Sequence, residues 1–271
     1  MKRPSFDENW PPSWKTSYFY DLEEVYGPIS NRGYAYAYQK RHRETIRLLT
    51  EALEPGARIL DLAAAQGNFS LTLAEMGYDV TWNDMREELA DYVRLKHERG
   101  KLSFAPGNAF EIKAASLFDG VLITEIIEHM AHPDEFLTRV AGLIRPGGYI
   151  VMTSPNGAYF RNHLPKFSEC SDPAIFETLQ FKPDSDGHIF LLHPEEVEAL
   201  AHSAGLEMER FVLLTNPLTS GHMKTKLLLR VLPKRLVVAI ENITSLLPRR
   251  LTRRLLTQMA ARFRKPETVA G

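Results

Sequence analysis

Carboxylates and imidazoles crowd into one short stretch of this chain. The segment DGVLITEIIEHMAHP, residues 119–133, carries Glu125, Glu128, His129 and His132 directly after an apolar run. His188 follows later, in SDGHIFLLHPEE. Glu125 and Glu128 stand three apart and share a face wherever the backbone turns helical. With His129 and His188 they form a donor set of carboxylates and imidazoles, which suits Mg, Mn, Fe or Zn. The same groups suit acid–base work, since an imidazole titrates near neutral pH and can take a proton from a hydroxyl. His129 is the first candidate base, with His132 and His188 as competitors. Spacing alone leaves open whether the cluster holds a cation or only orders a loop.

A second constellation points to a nucleotide-like ligand. ARILDLAAAQGNFSLTLAEMG, residues 57–77, reads as a strand, a tight turn of small residues and a helix opened by Gly67. That arrangement brings backbone amides and a helix N-terminus against a ligand. About 20 residues on, where a dinucleotide-type fold places an acid for ribose hydroxyls, VTWND ends an apolar strand at Asp84. The turn lacks the GxGxxG spacing of a nicotinamide-nucleotide site.

The elements that must position these residues alternate. Strand patterns at 58–62, 79–83, 102–106, 120–125, 148–154 and 206–214 are separated by helical patterns from 68, at 86–99, at 133–144 and from 194 to about 205. Such alternation demands a parallel sheet covered by helices, a Rossmann-like doubly wound α/β fold. A helix over 34–52 precedes it. The expected organisation is an N-terminal arm and helix at 1–55 covering the acceptor, a core domain at 56–216 with an insert at 156–192, and a basic amphipathic helical tail at 217–271.

In this order the motifs resemble the class I S-adenosylmethionine-dependent methyltransferases over roughly residues 56–214. The resemblance implies that Asp61, Ala63, Ala65 and Gly67 form the first cofactor turn, with alanines at two positions where glycine is usual. It implies that Asp84 holds the ribose, that Met85 lies under the adenine, and that Asn108 and Ala109 reach its amino edge. Glu125 closes the same pocket. The Glu-x-x-Glu-His segment is similar to those of ubiquinone-biosynthesis O-methyltransferases and of small-RNA 3′-terminal 2′-O-methyltransferases, in which a later histidine completes a metal site; His188 falls at that place. Asn216-Pro217-Leu218 also echoes the ubiquinone-pathway enzymes, although their final antiparallel strand is hard to find here.

The implied activity is methyl transfer from S-adenosylmethionine to a hydroxyl of a small, sugar-like or lipid-linked acceptor. The alternatives are N-methylation or RNA 2′-O-methylation on the same fold, a non-catalytic S-adenosylmethionine-binding scaffold, or a membrane-associated subunit. A net charge of −1 gives no global attraction to nucleic acid, and the tail offers cations with almost no aromatic platforms, so RNA ranks below small molecules. Cys170 is the sole cysteine, which excludes an internal disulfide and fits a reducing cytoplasm. The start has no apolar signal run, and the apolar stretches are cut by Arg230, Lys234, Arg235 and Glu241. From Lys224 onward Lys and Arg interleave with Leu, Val and Ile. That pattern suits peripheral contact with an anionic membrane surface, or an amphipathic extension packed on the core or on a second copy.

Overall fold

The computed structural model describes residues 1–27, 29–112, 116–180, 187–220 and 225–267, leaving out part of the insert at 181–186 and the start of the basic tail, Lys224 included. A seven-stranded sheet runs through it in the order β3-β2-β1-β4-β5-β7-β6. β1 (Arg58–Leu62), β2 (Asp79–Trp82), β3 (Lys101–Phe104), β4 (Phe118–Thr124) and β5 (Ile144–Pro155) are mutually parallel. The helices α2 (Arg32–Thr50), α3 (Asn68–Glu75), α4 (Leu89–Lys96), α5 (Pro133–Ala141) and α6 (Pro194–Ser203) surround it.

The period of two along each strand splits the core between the two faces. Leu60, Leu62, Val121, Ile123, Ile150 and Met152 pack with α5 and α6 on one side. Ile59, Val80, Leu122 and Val151 meet Leu48 and Leu49 of α2 and Phe69 and Leu73 of α3 on the other. Because the five strands are parallel, their carboxyl ends share one rim, and the turn after β1, the segment after β4 and Pro155-Asn156 all emerge there.

Three expectations change. The chain does have the final antiparallel strand that was hard to find. β7 (Gln258–Arg264) inserts between β5 and β6 (Glu207–Leu214), antiparallel to both. Residues 217–271 are therefore not a purely helical tail: α7 (Lys226–Val231), α8 (Lys234–Ser245) and α9 (Arg249–Leu255) form a connection into the sheet. β7 carries Arg262, which reads as a tail cation yet is buried, donating to Leu48 O at 2.9 Å and to Glu209 at 3.0 Å. The helix expected over 86–99 spans only Leu89–Lys96, because Asp84 takes the backbone N–H and guanidinium of Arg86 and holds that stretch as a turn. The N-terminal arm is anchored on α4, while its end at Asn31 and the following α2 line the same pocket as Glu125 and Pro155. Beside α1 (Pro12–Asp21), Trp10 and Trp14 each contact the Tyr92 ring of α4 at 5.9 Å, and Trp14 donates to Glu88 O.

Candidate active site

Between β1 and α3 the chain makes a turn in which Ala63, Ala65 and Gly67 all have left-handed backbone, with φ of 56°, 48° and 73°. The alanines thus adopt the glycine-like geometry at a steric cost. Surrounding bonds hold it: Asp84 accepts from Ala65 N at 2.8 Å, Trp82 Nε1 donates to Ala65 O at 3.0 Å, and Lys96 Nζ donates to Gln66 O at 2.9 Å. At Gly67 a Cβ would lie 2.9 Å from both Val93 methyls, so no side chain fits. Asp61, fully buried at the end of β1, accepts from Ser70 Oγ at 2.6 Å through one oxygen, while its other oxygen has no partner among the described residues. Burial pushes its carboxyl up to about 7, against the lowering effect of Ser70.

Asp84 is buried at the end of β2 and bonded to Ala65 N and Arg86; Arg86 itself is more than half exposed. Met85 is 67% exposed and, with Asn108, Phe110 and Met130, lines a cleft of about 450 Å³. The Asn108 amide accepts from Phe110 N and donates to Glu111, and Ala109 is buried under the cleft. His132 opens on this cleft and bonds Glu177 at 2.9 Å, which sets it apart from His129 and His188.

After β4 the acidic cluster divides. Glu128, His129 and His188 bring ligand atoms within 4.8 Å of one another, and the two imidazole rings lie 4.9 Å apart. Neither oxygen of the fully buried Glu128 makes a well-formed hydrogen bond among the described residues, and burial, reinforced by the charge of Glu125 and opposed by the nearby Ser154 hydroxyl, pushes its carboxyl well above the usual range. Glu125 does not join this group, contrary to its expected place in the metal set. A left-handed backbone, φ 53°, turns it toward Arg41, which donates at 3.1 Å, and Gln258 adds a bond at 3.3 Å. The opposite charge on Arg41 is the stronger claim on that carboxylate.

These elements enclose a cavity of about 900 Å³. Tyr34, Tyr38 and Arg41 of α2 form one wall, Glu125 and Gln258 the floor, and Asn156, Tyr159, Arg161 and His188 of the 156–192 segment the other side. Sequence reasoning missed Arg41 and Gln258. The spacing Tyr34, Tyr38, Arg41 is i, i+4, i+7, one helical face carrying polar groups toward the core, and that signal was readable. Gln258 was hidden because its strand was.

The residues that would hold S-adenosylmethionine fit it. The turn has room only for glycine at 67, one Asp61 oxygen is orphaned, and Met85 stands exposed over a cleft; the Asp84 carboxylate accepts four bonds from Ala65 N and Arg86, so ribose hydroxyls would reach it by displacing the half-exposed Arg86 guanidinium. Residues 34–210 match a family model described as a methyltransferase domain. The chain is 30% identical over 171 residues to a ubiquinone biosynthesis O-methyltransferase of Sinorhizobium medicae, a match spanning 61% of this chain and 66% of that one. It is 29% identical over 196 residues to the protein of the same name in Bordetella avium, spanning 70% of this chain and 75% of that one. Against the first of these, it thus covers slightly less than two thirds of the relative's length. Among solved structures, the N-methyltransferase NodS of Bradyrhizobium japonicum, in complex with S-adenosylhomocysteine, superposes with a TM-score of 0.54 at 15% identity, covering 95% of this chain and all of that one. The [4+2]-cyclase SpnF gives the same TM-score at 16% identity, covering 95% of this chain and 97% of that one. Likeness at that level shows the fold alone. With the family model matching well over half of its length, the chain belongs to the class I S-adenosylmethionine-dependent methyltransferases.

Proposed function

We propose that the chain transfers a methyl group to a hydroxyl oxygen of a small-molecule acceptor bound in the 900 Å³ cavity, with sugar-like and lipid-linked alcohols as its acceptor class. The observation that carries this reading is topological. The turn at 63–67 and the cavity with His188 emerge from the same carboxyl rim of the parallel strands, where open α/β sheets bind ligands. S-adenosylmethionine in the turn supplies an electrophilic methyl on a sulfonium sulfur. Methyl transfer is an in-line displacement, so the protein's work is alignment and proton removal. Asp84 would orient the cofactor's ribose, and Met85 and Asn108 its base. Arg41 would hold the Glu125 side chain in place. His188 is the member of the imidazole pair that lines the cavity, so an acceptor hydroxyl would meet that pair first and give up its proton to it.

One observation favours a second feature on the same site. A carboxylate buried without well-formed hydrogen bonds beside two imidazoles is costly unless it is protonated or bound to a cation. Glu128, His129 and His188 would hold a divalent cation, their ring nitrogens would then be committed to it, and the cation would replace the imidazoles in activating the acceptor hydroxyl, as a Lewis acid. Calorimetric titration with S-adenosylhomocysteine tests the cofactor reading and titration of chelator-treated protein with Mn2+ tests the cation. Micromolar binding of the first should vanish in Asp84→Ala, and binding of the second should fall at least about tenfold in Glu128→Gln. No binding of S-adenosylhomocysteine by the wild type would overturn the methyl-transfer reading; no binding of Mn2+ would remove the cation alone.

A further inference from the structure

The connection between β6 and β7 presents a surface that the fold does not use. Between Thr225 and Thr257 the chain carries eight Lys and Arg against the single acid Glu241, and no Phe, Trp or Tyr. Its inward side is spent on packing, with Leu229, Val237, Thr252 and Leu256 buried. Glu241 turns to the fold as well, accepting from Asn216 N at 2.7 Å and from the Thr219 hydroxyl. Among the described residues Arg253 pairs with Glu195, whereas Arg230, Arg235, Arg249, Arg250 and Arg254 form no ion pair.

The outward side is aliphatic. Leu227 and Val231, four apart on α7, are 74% and 77% exposed, and Leu228 joins the same face. On α8 Ile243 is 64% exposed, Leu246 just beyond it is 84% exposed, and Leu251 of α9 is 50% exposed. Isolated exposed leucines are ordinary, but several of them within one strongly basic connection mark an interaction site.

We propose that this face docks on an anionic lipid surface. The aliphatic tips would enter the headgroup boundary while the guanidinium and ammonium groups meet lipid phosphates, with stems lying along the apolar layer. Charge decides between occupants. A second copy would set one cationic face against another, and a single-stranded nucleic acid would find no aromatic platform for its bases. Anionic lipid satisfies both the cations and the aliphatic side chains.

The docked face adjoins the cavity. Arg32 of α2 donates to Leu229 O and Arg230 O of α7 at 3.2 and 2.7 Å, and the same helix supplies Tyr34, Tyr38 and Arg41 to the cavity wall. A lipid-borne alcohol would therefore reach the site from the bilayer. That last step rests on the methyl-transfer reading; the docking does not.

The test is cosedimentation of the full chain with phosphatidylcholine vesicles, with and without phosphatidylglycerol, for the wild type and for a Leu227→Glu, Val231→Glu, Leu246→Glu variant. These side chains touch little of the fold, so the melting temperature should be unchanged. Binding should require phosphatidylglycerol, weaken with salt, and fall at least about tenfold in the variant. Failure of the wild type to sediment, or equal sedimentation of the variant, would overturn the proposal. So would a wild-type dimer, seen by light scattering, that the variant loses, because the face would then belong to a second copy. S-adenosylhomocysteine binding, measured on the same samples, reads the methyl-transfer site separately.

Discussion

Lys96 is the side chain whose removal should reveal how the N-terminal arm and the cofactor turn support one another. It is fully buried, and its ammonium donates to Asp21 at 2.6 Å, to Asn68 Oδ1 at 2.6 Å and to Gln66 O at 2.9 Å. Asp21 belongs to the arm, and Gln66 and Asn68 flank Gly67. Glu24, also from the arm and also buried, takes Gln66 and Asn68 amides and the Tyr34 hydroxyl, so the network runs from the arm through the turn to the cavity wall. Lys96→Met would leave the Asp21 carboxylate buried with only Tyr92 and Asn68 to satisfy it. Stranding one partner of a buried ion pair costs about 3–5 kcal/mol. For a chain of this size that is a fall of melting temperature on the order of 10 °C. S-adenosylhomocysteine affinity, measured well below both transitions, should drop as well because Gln66 and Asn68 lose their anchor. Adding Asp21→Asn to the variant should recover part of the stability, since a pair replaced on both sides is far cheaper than one broken. Denaturant unfolding of the four proteins of that cycle checks the argument. A loss below about 1 kcal/mol for Lys96→Met, or a double variant equal to the sum of the singles, would refute it.

Two further outcomes follow from the turn. Ala63→Gly and Ala65→Gly should each stabilise the protein by about 0.5–1 kcal/mol, because relief of a left-handed alanine outweighs the extra chain entropy of glycine; a urea midpoint that moves down would show that these alanines carry no strain. Asp61 has its folded-state carboxyl raised to about 7 from an ordinary unfolded value near 4, so the unfolded chain loses its proton first and stability declines as pH rises through that window. Asp61→Asn removes the decline, and its advantage over wild type in unfolding of ligand-free protein should grow by on the order of 4 kcal/mol between pH 4 and pH 8; parallel pH profiles for the two proteins would contradict the assignment.

The parallel half of the sheet was legible because its strands are buried on both faces and punctuated by Gly-containing turns, so Ile59–Leu62 and Val121–Ile123 announce themselves as apolar runs. The turn residues Asp61, Ala63, Ala65 and Gly67 and the pair Glu128-His129 were legible for a related reason, since each sits at or close after the end of such a strand, whereas His188 came only from the family resemblance. β7 was not. QMAARFR contains two arginines and two alanines, and its burial depends on Glu209, Leu48 O and the Tyr149 ring, all remote in sequence.

Local pattern determined where the parallel strands lie and which turns and carboxylates stand at their ends, because those properties depend on spacing within about 20 residues. Only the tertiary structure decided between partners. It withdrew Glu125 from the cluster by bringing Arg41 to it across 84 positions. It took His132 away with Glu177, and fastened the arm to the cofactor turn through Lys96. It also divided the basic tail into an inward strand and an outward face. Each is a competition among charges and apolar surfaces for whichever neighbour the fold brings near, and sequence offset carries no information about that distance.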